Sequence, residues 1–444
     1  MSDKPETQNY AQMQRAMRIS VIDGMFGNAS ENLIGPFLAL FALALGATKG
    51  QVGLLIALPA FLSNALQIPA AQLAERWGER QRLVVVTSGI SRLTILPIAL
   101  VPLMLQGDAA IYTFIALVTL RGLTNSIGVP AWTAIMADIT PRQGRGSYFG
   151  YRNVMCSLAA LGSVLVAGWF IRFFDFPLGY QVSFFLALAF GLTSTYFFST
   201  IPVPRVSKRP ATGKIFGFKA SWQILAKPSA FRNYCFTSIL WNFAVTFSGS
   251  FYSVFYRENL GGDPGFWGVV MATGLGAGIF GHRYWGRLAD QYGQKNVMLL
   301  GGIGAASVPF MWLILPRPEL AVLAEFASGF AWSGYNLAAF NLILEITPDD
   351  NRTTYIGVYN TMAGLAAAIG PLLGGYFADA YGLKLVIIIS GILRWVGYFV
   401  FKRNVPGSSQ GRFHWSDFVP FGHELRISQK LHELVERHGD DEVD

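Results

Sequence analysis

The sequence predicts an all-α integral membrane fold of twelve transmembrane helices in two pseudo-symmetric six-helix bundles. Three observations predict it: composition, the spacing of apolar runs and an internal duplication. Of 444 residues, 52% are hydrophobic and only 14% charged, and the mean hydropathy is +0.39, too little polar surface to solvate a large globule. A transmembrane helix needs about 20 mainly apolar residues to cross about 30 Å of hydrocarbon. Such runs recur from Ile19 to Phe401.

Taken in order, the polar start MSDKPETQNYAQMQRAMR has no short apolar core followed by a small-residue cleavage site. Residues 1–16 are therefore expected to be a cytoplasmic segment, with the first helix as the insertion signal. Apolar runs bounded by polar turns place helices at 17–45, 50–74, 83–106, 110–138, 146–172 and 179–201, then 232–257, 264–288, 296–315, 319–346, 353–379 and 383–402. These define an N-terminal bundle (17–201), a cytoplasmic linker (202–231), a C-terminal bundle (232–403) and a cytoplasmic tail (404–444). In the linker, Phe218, Trp222 and Leu225 follow helical spacing between lysines, which suits a helix lying in the membrane interface. In the tail, Ile427, Leu431, Leu434 and Val435 form the apolar face of an amphipathic helix, a capping segment or a docking element.

The net charge of +8 is a topology signal rather than a nucleic-acid footprint. Arg76, Arg80 and Arg82 follow helix 2, Arg142 and Arg145 follow helix 4, and the linker holds Arg205, Lys208, Arg209, Lys214, Lys219 and Lys227, whereas the alternate loops are nearly free of Lys and Arg. By the positive-inside rule both termini are cytoplasmic, in a plasma-membrane protein. Cys156 and Cys235 sit in apolar runs, which points to packing rather than a disulfide or a metal site.

Sliding the chain by 207 residues exposes the duplication. Gly122 falls on Gly329, Ile139-Thr140-Pro141 on Ile346-Thr347-Pro348, Asp138 on Glu345, Arg145 on Arg352, Tyr148 on Tyr355, Asn153 on Asn360 and Gly168 on Gly375. Shared apolar composition does not keep Gly, Pro and charged positions in register. A second repeat links "AQLAERWGER" (71–80) with "GRLADQYGQK" (286–295): Glu75 aligns with Asp290 and Gly78 with Gly293. Its parts are a small residue for close helix approach, an acid at the helix end, a glycine for the turn and basic residues to hold the next helix at the headgroups.

On these motifs the chain, over residues 15–403, resembles the major facilitator superfamily of secondary transporters. The stretch from Gly286 to Lys295 is similar to the family's cytoplasmic loop motif, and Asp138 with Arg145 and Glu345 with Arg352 resemble its acid-x6-arginine pairs. The resemblance implies a cytoplasmic gate formed by Glu75, Arg76, Asp138, Arg145, Gly286, Asp290, Gly293, Glu345 and Arg352, latched in the outward-open state. The first loop copy departs from the pattern at Ala71-Gln72 and Glu75. The resemblance also implies two halves related by an axis along the membrane normal, with substrate bound between them near the midplane, as is general for such transporters.

Ionisable groups at membrane depth are costly, about 2.5 to 3.5 kcal/mol each on insertion scales, and mark function or pairing. Glu31 lies 13 residues beyond Arg18 and Arg121 lies 17 residues before Asp138, about 20 and 26 Å from the cytoplasmic end at 1.5 Å per residue. Their depths agree within a turn or so, and the resemblance puts helices 1 and 4 on the central cavity. Glu31 and Arg121 are thus the expected proton-coupling pair, since burial favours a neutral carboxyl and a guanidinium an ionised one; a static packing pair and direct substrate contact are the alternatives. Asp23 matches Arg152 in depth and is expected to form a structural ion pair with it. Arg92 and Arg394 share Ser-Gly-Ile-x-Arg on helices that are peripheral in the family, consistent with snorkelling or a buried bridge. His282, near the cytoplasmic end of helix 8, is expected to be hydrogen-bonded.

The expected substrate contacts are Asn28, Asn32, Asn125, Asn242, Tyr252, Asn336, Asn341, Tyr359 and Asn360, a set that suits an apolar or sugar-like solute; some of these carboxamides will only join helices. Gly370-Pro371-Leu372-Leu373-Gly374-Gly375 resembles a motif that family exporters carry in helix 5, but here it is in helix 11. The reading that results is a secondary active transporter of a small organic solute by alternating access, proton-coupled, with export ahead of uptake. An uptake symporter for a sugar or metabolite, a lipid translocator and a non-transporting receptor remain as alternatives. The absence of G-x-x-x-x-G-K-[ST], H-E-x-x-H and G-x-S-x-G speaks against an ATP motor or an enzyme. No cofactor or metal is expected; the partners are the solute, protons and the bilayer, with no nucleic acid, and the chain is expected to act as a monomer.

Overall fold

In the lipid interior every backbone N–H and C=O must be satisfied within the segment, so long apolar runs fold as helices. The computed structural model describes residues 4–77, 79–141, 145–203, 225–226, 229–347 and 352–406, without the side chains at 4–11, 67–69, 71–77, 145–146 and 352–354. Among the described residues there is no strand. The helices are α1 (Lys4–Ile34), α2 (Leu38–Ala44), α3 (Lys49–Trp77), α4 (Arg80–Leu93), α5 (Ile95–Met104), α6 (Gly107–Ile139), α7 (Arg145–Phe173), α8 (Leu178–Ser199), α9 (Ala230–Gly249), α10 (Tyr252–Glu258), α11 (Trp267–Tyr292), α12 (Gln294–Leu313), α13 (Ala321–Ile346), α14 (Arg352–Tyr381) and α15 (Leu383–Asn404).

Three pairs, α1/α2, α4/α5 and α9/α10, are single rods with a break, which leaves twelve rods among the described residues, consistent with the twelve apolar runs expected. Pro97 cannot donate to the carbonyl of Leu93, where α4 stops. Gly35-Pro36-Phe37 tightens into a 3-10 turn between α1 and α2, and Gly249-Ser250-Phe251 interrupts α9/α10 at the corresponding point of the second half. Among the described residues, eight helical stretches are long and apolar enough to cross a membrane by length and composition. The rods that fall short contain α1, α9, α11 and α13, and each of these four helices contributes to a cavity described below. Bulky apolar side chains such as Leu158, Leu192, Phe236 and Ile392 cover the outside, as a lipid-facing surface requires.

The packing repeats the duplication seen in the sequence. In the first half α1 packs on α7 and α8, α6 on α3 and α4, and α4 on α8; in the second half α9 packs on α14 and α15, α13 on α11 and α12, and α12 on α15. Serines pin equivalent crossings. Ser30 Oγ donates to Ala187 O (2.6 Å) and Ser183 Oγ to Leu33 O (2.7 Å) between α1 and α8, while Ser390 Oγ donates to Ala244 O (2.6 Å) between α9 and α15. The halves meet along α3 against α14 and α7 against α11. Both contacts depend on missing side chains: a Cβ on Gly53 would sit 2.4 Å from Pro371 O, and one on Gly168 would sit 2.4 Å from Gly265 O. The helix-11 Gly-Pro motif therefore forms part of the seam with α3.

The rods have a basic end, where Arg80 and Arg82 lie, and an opposite end. At the opposite end one continuous apolar core, including Phe37, Phe41, Phe114, Phe184, Phe251 and Trp312, runs through both halves. At the basic end the core splits: Leu83, Ile135 and Phe198 cluster within the first half, and Trp285, Leu288 and Leu342 within the second. Among the described residues the two bundles thus share one apolar core at the far end, while their apolar clusters at the basic end are separate. The turn expected at Gly293 is present, with a φ of 80° between α11 and α12. The expected linker helix falls mainly outside the described residues, although Leu225 packs near Phe231 and Cys235. The expected tail helix, with Ile427, Leu431, Leu434 and Val435, lies outside them.

Candidate functional site

α1 carries Glu31 to mid-depth, where two guanidiniums converge on it. Arg121 Nη2 of α6 donates to Glu31 Oε2 at 2.6 Å, and Arg92 Nη1 of α4 donates to Oε1. Ser91 Oγ donates to Arg121 O (3.0 Å), which holds the two arginine-bearing helices in register. Arg92 reaches the site across α8 because position 191 is glycine: a Cβ there would lie 2.5 Å from Arg92 Cδ. The arginine side chains are 9% and 10% exposed and that of Glu31 42%, so the carboxylate forms the open face of the cluster. One negative and two positive groups leave a surplus positive charge, and Nε of both arginines has no hydrogen-bond partner.

Glu31 and Arg92 form part of the wall of an open cavity of about 270 Å³ within the first half, shared with Asp23, Asn28, Asn125, Trp132 and Arg152. The expected ion pair between Asp23 and Arg152 is not formed. Asp23 Oδ1 accepts from Ser194 Oγ at 2.7 Å, while Arg152 Nε donates to Ser20 O (3.2 Å) and Ser20 Oγ (3.3 Å) and its guanidinium lies 5.4 Å from the centre of the Trp132 ring. Gly24 opens the path of that guanidinium along α1, so it reaches Ser20, about one turn from Asp23.

Among the expected substrate contacts, Asn28 and Asn125 line the first cavity. Asn28, Asn32 and Asn242 each donate to a carbonyl four residues back in their own helix, Gly24 O (2.8 Å), Asn28 O (2.9 Å) and Ser238 O (2.8 Å). Asn341 donates to Gln294 Oε1 (3.3 Å) and Tyr359 stacks on Tyr234, while Asn336 and Asn360 are exposed. Tyr252 lines a second cavity, of about 420 Å³, between the halves; the two helix breaks at Gly35-Pro36 and Gly249-Ser250 also border it. His282 Nδ1 lies 2.6 Å from Gly278 O.

Of the gate residues, Asp138 pairs with Arg80 (3.3 Å) at the start of α4. A Cβ on Gly286 would meet Leu337 only at ordinary contact distance, and Asp290 and Glu345 are exposed. The side chains of Glu75, Arg76, Arg145 and Arg352 lie outside the described residues. Polar contacts between the halves, among the described residues, lie at the opposite end. Lys49 N and Gly50 N donate to Asp379 Oδ1 and Oδ2 (2.9 and 2.7 Å), Lys49 pairs with Glu258 (3.1 Å), Trp267 Nε1 donates to Pro36 O (3.1 Å) and Arg172 approaches Asp263 (3.9 Å).

Sequence reasoning left Arg92 outside the functional pair and overlooked Glu325 on α13. The depth rule applied to Glu31 also finds Arg92, which lies 12 residues after Arg80, or about 18 Å along a helix. Glu325 is an acid inside an expected helix, and that alone was signal enough.

A duplicated helical bundle with a charged cluster and a cavity between its halves is the architecture of a membrane transporter. The family model of the Major Facilitator Superfamily matches residues 24–284 and 283–431. The chain belongs to that superfamily, whose members are transporters and not enzymes. It is 24% identical over 415 residues to a "Multi-drug resistance efflux pump PmrA homolog" of Lactococcus lactis subsp. lactis, covering 88% of this chain and 97% of that protein. It is 31% identical over 142 residues to the "Multidrug resistance protein MdtG" of Dickeya zeae, a match that spans 30% of this chain and 32% of that protein. Its fold is similar to those of the nucleoside transporter NupG (TM-score 0.68, 13% identity, 88% of this chain and 98% of that one) and a D-xylose-proton symporter (TM-score 0.69, 14% identity, 89% and 99%).

Proposed function

We propose that this multi-pass membrane transporter exports a small organic solute in exchange for protons, with the basic end and both termini in the cytoplasm. The observation that carries the reading is the Glu31 cluster, a carboxylate shared by two guanidiniums on a cavity wall, in a bundle whose described residues share one apolar core at the far end. Protonating Glu31 removes the charge that both arginines share, so proton binding and release of at least one guanidinium are linked events. That link supplies coupling: a proton arriving from the far side loosens Arg92 or Arg121, and its departure restores the cluster. Similarity to named efflux pumps, one of them over nearly its whole length, supports export. Among the gate residues, Asp290, Glu75, Arg145 and Arg352 are the groups we propose to latch the basic end when the far end opens.

The test is substrate-dependent proton movement in proteoliposomes, with wild type beside Glu31→Gln. The variant should still bind solute but move no protons with it. Unchanged proton coupling in Glu31→Gln would sink the reading, and solute accumulation driven by protons moving in the same direction would replace export with symport.

A further inference from the structure

The cavity inside the first half offers more hydrogen-bond donors than its own acceptors use. It lies among α1, α4, α6, α7 and α8 and is lined by residues of the first half alone, so it is distinct from the cavity between the halves. Arg152 on its wall is buried, at 8% exposure, and spends only Nε, on Ser20. Among the described residues its two Nη groups meet no hydrogen-bond acceptor, and the guanidinium lies over the Trp132 ring. The Ser88 hydroxyl of α4 and the Asn125 carboxamide of α6 line the same cavity and also have no hydrogen-bond partner among the described residues. The two carboxylates are engaged elsewhere: Glu31 holds one arginine on each oxygen, and Asp23 accepts from Ser194.

The charges do not balance either. Arg92 of α4, Arg121 of α6 and Arg152 of α7 stand against Asp23 and Glu31 of α1, while α8 supplies no charged group. Three positive and two negative groups leave a surplus of one positive charge. A buried charge without a counter-charge is costly, and water satisfies donors without neutralising them. A small anion does both. Two Nη groups present a forked edge that holds a halide between them or a carboxylate at two points, and about 270 Å³ has room for such an ion with some of its water. We propose that this cavity binds one small monovalent anion, chloride or a short carboxylate, with Arg152 as its charged ligand and Ser88 and Asn125 as further donors, and that its occupancy is linked to the proton on Glu31. Protonating Glu31 adds one more positive charge to the surplus, so proton and anion each favour the binding of the other. The linkage rests on the coupling reading above, whereas the anion site itself does not.

The probe is radiolabelled chloride, bound at equilibrium to the purified full-length protein in nanodiscs, with unlabelled chloride and acetate as competitors. Binding should saturate. Displacement by acetate at lower concentrations than by chloride assigns the site to carboxylates, and the reverse order assigns it to halides. Arg152→Gln should weaken chloride about tenfold, the loss expected for a hydrogen bond to a charged partner, and Arg152→Lys, which keeps the charge, should lose less. Glu31→Gln, neutral at every pH, should bind chloride more tightly than wild type at neutral pH and with less dependence on pH. A measurement on wild type removes dependence on how the variants fold: phenylglyoxal should modify Arg152, read by peptide mass spectrometry, and chloride should protect it, while the exposed Arg172 in the same sample is modified equally with and without chloride. No saturable binding, an affinity unchanged in Arg152→Gln, or absent or chloride-indifferent modification of Arg152 overturns the site. Equal chloride affinity in wild type and Glu31→Gln overturns the linkage. If proton movement requires Glu31 while no chloride binds, only this inference falls. If chloride binds through Arg152 and tightens in Glu31→Gln, yet that variant still moves protons with solute, only the coupling reading falls.

Discussion

Replacing Asp379 with alanine removes both acceptors that α14 offers to the first turn of α3, across the seam between the halves. Oδ1 takes Lys49 N at 2.9 Å and Oδ2 takes Gly50 N at 2.7 Å, so the carboxylate caps a helix that belongs to the other bundle. A capping side chain is worth about 0.5–2 kcal/mol, and a negative charge at a helix N-terminus a further 0.3–1 kcal/mol or so. Both bonds are solvent-exposed, so screening places the loss at the lower end, about 1 kcal/mol. This contact bridges the two halves at the sealed far end, and if opening breaks it, losing it should shift the sealed-to-open ratio roughly fivefold. Spin labels at the exposed positions Asp108 and Lys384, one at the far end of each half, would report the change by double electron–electron resonance. The longer-distance population should grow in Asp379→Ala and less in Asp379→Asn, which keeps one acceptor oxygen. A distance distribution identical to that of the unsubstituted labelled protein would refute the idea that Asp379 holds the seal.

Other substitutions probe the remaining contacts. Arg92→Met breaks one of the two ion pairs on Glu31; loss of a buried partner costs about 3–5 kcal/mol, reduced here because the Glu31 side chain is 42% exposed, and the apparent Tm should fall by several degrees. An unchanged Tm would mean that Arg121 alone satisfies the carboxylate. Ser194→Ala leaves Asp23 without its hydroxyl donor and should destabilise by about 1–3 kcal/mol, whereas Asp23→Asn, able to keep a bond to Ser194, should change denaturant midpoints less. Gly168→Leu cannot coexist with Gly265 O at 2.4 Å from its Cβ; the same spin-label pair should show a persistently open far end and transport should stop, and normal transport would count against the sealed seam as a working state.

The depth of Glu31 and Arg121 was legible because helical rise converts sequence spacing into distance from the basic loops. The convergence of Arg92 was not, since the azimuth of α4 is set by packing on α6 and α8, including the space left at Gly191. Asn28 and Asn32 look, in sequence, like neighbours that would help Glu31. In the structure they bond to their own helix, as carboxamides do when a carbonyl four residues back is the nearest acceptor. Asp23 and Arg152 agree in depth yet do not pair, because a match along the membrane normal says nothing about direction within its plane.

Composition, apolar runs and two repeats in register by themselves determined the membrane class, the helix order, the duplicated halves and the family. These properties are periodic along one chain, and the lipid interior leaves helices as the only form such runs can take. Only the tertiary structure decided which end is sealed, that two arginines share Glu31, and that Glu325 faces a cavity bordered by both helix breaks. Those outcomes depend on how the rods rotate and approach one another, and side-chain volumes distant in sequence govern that approach.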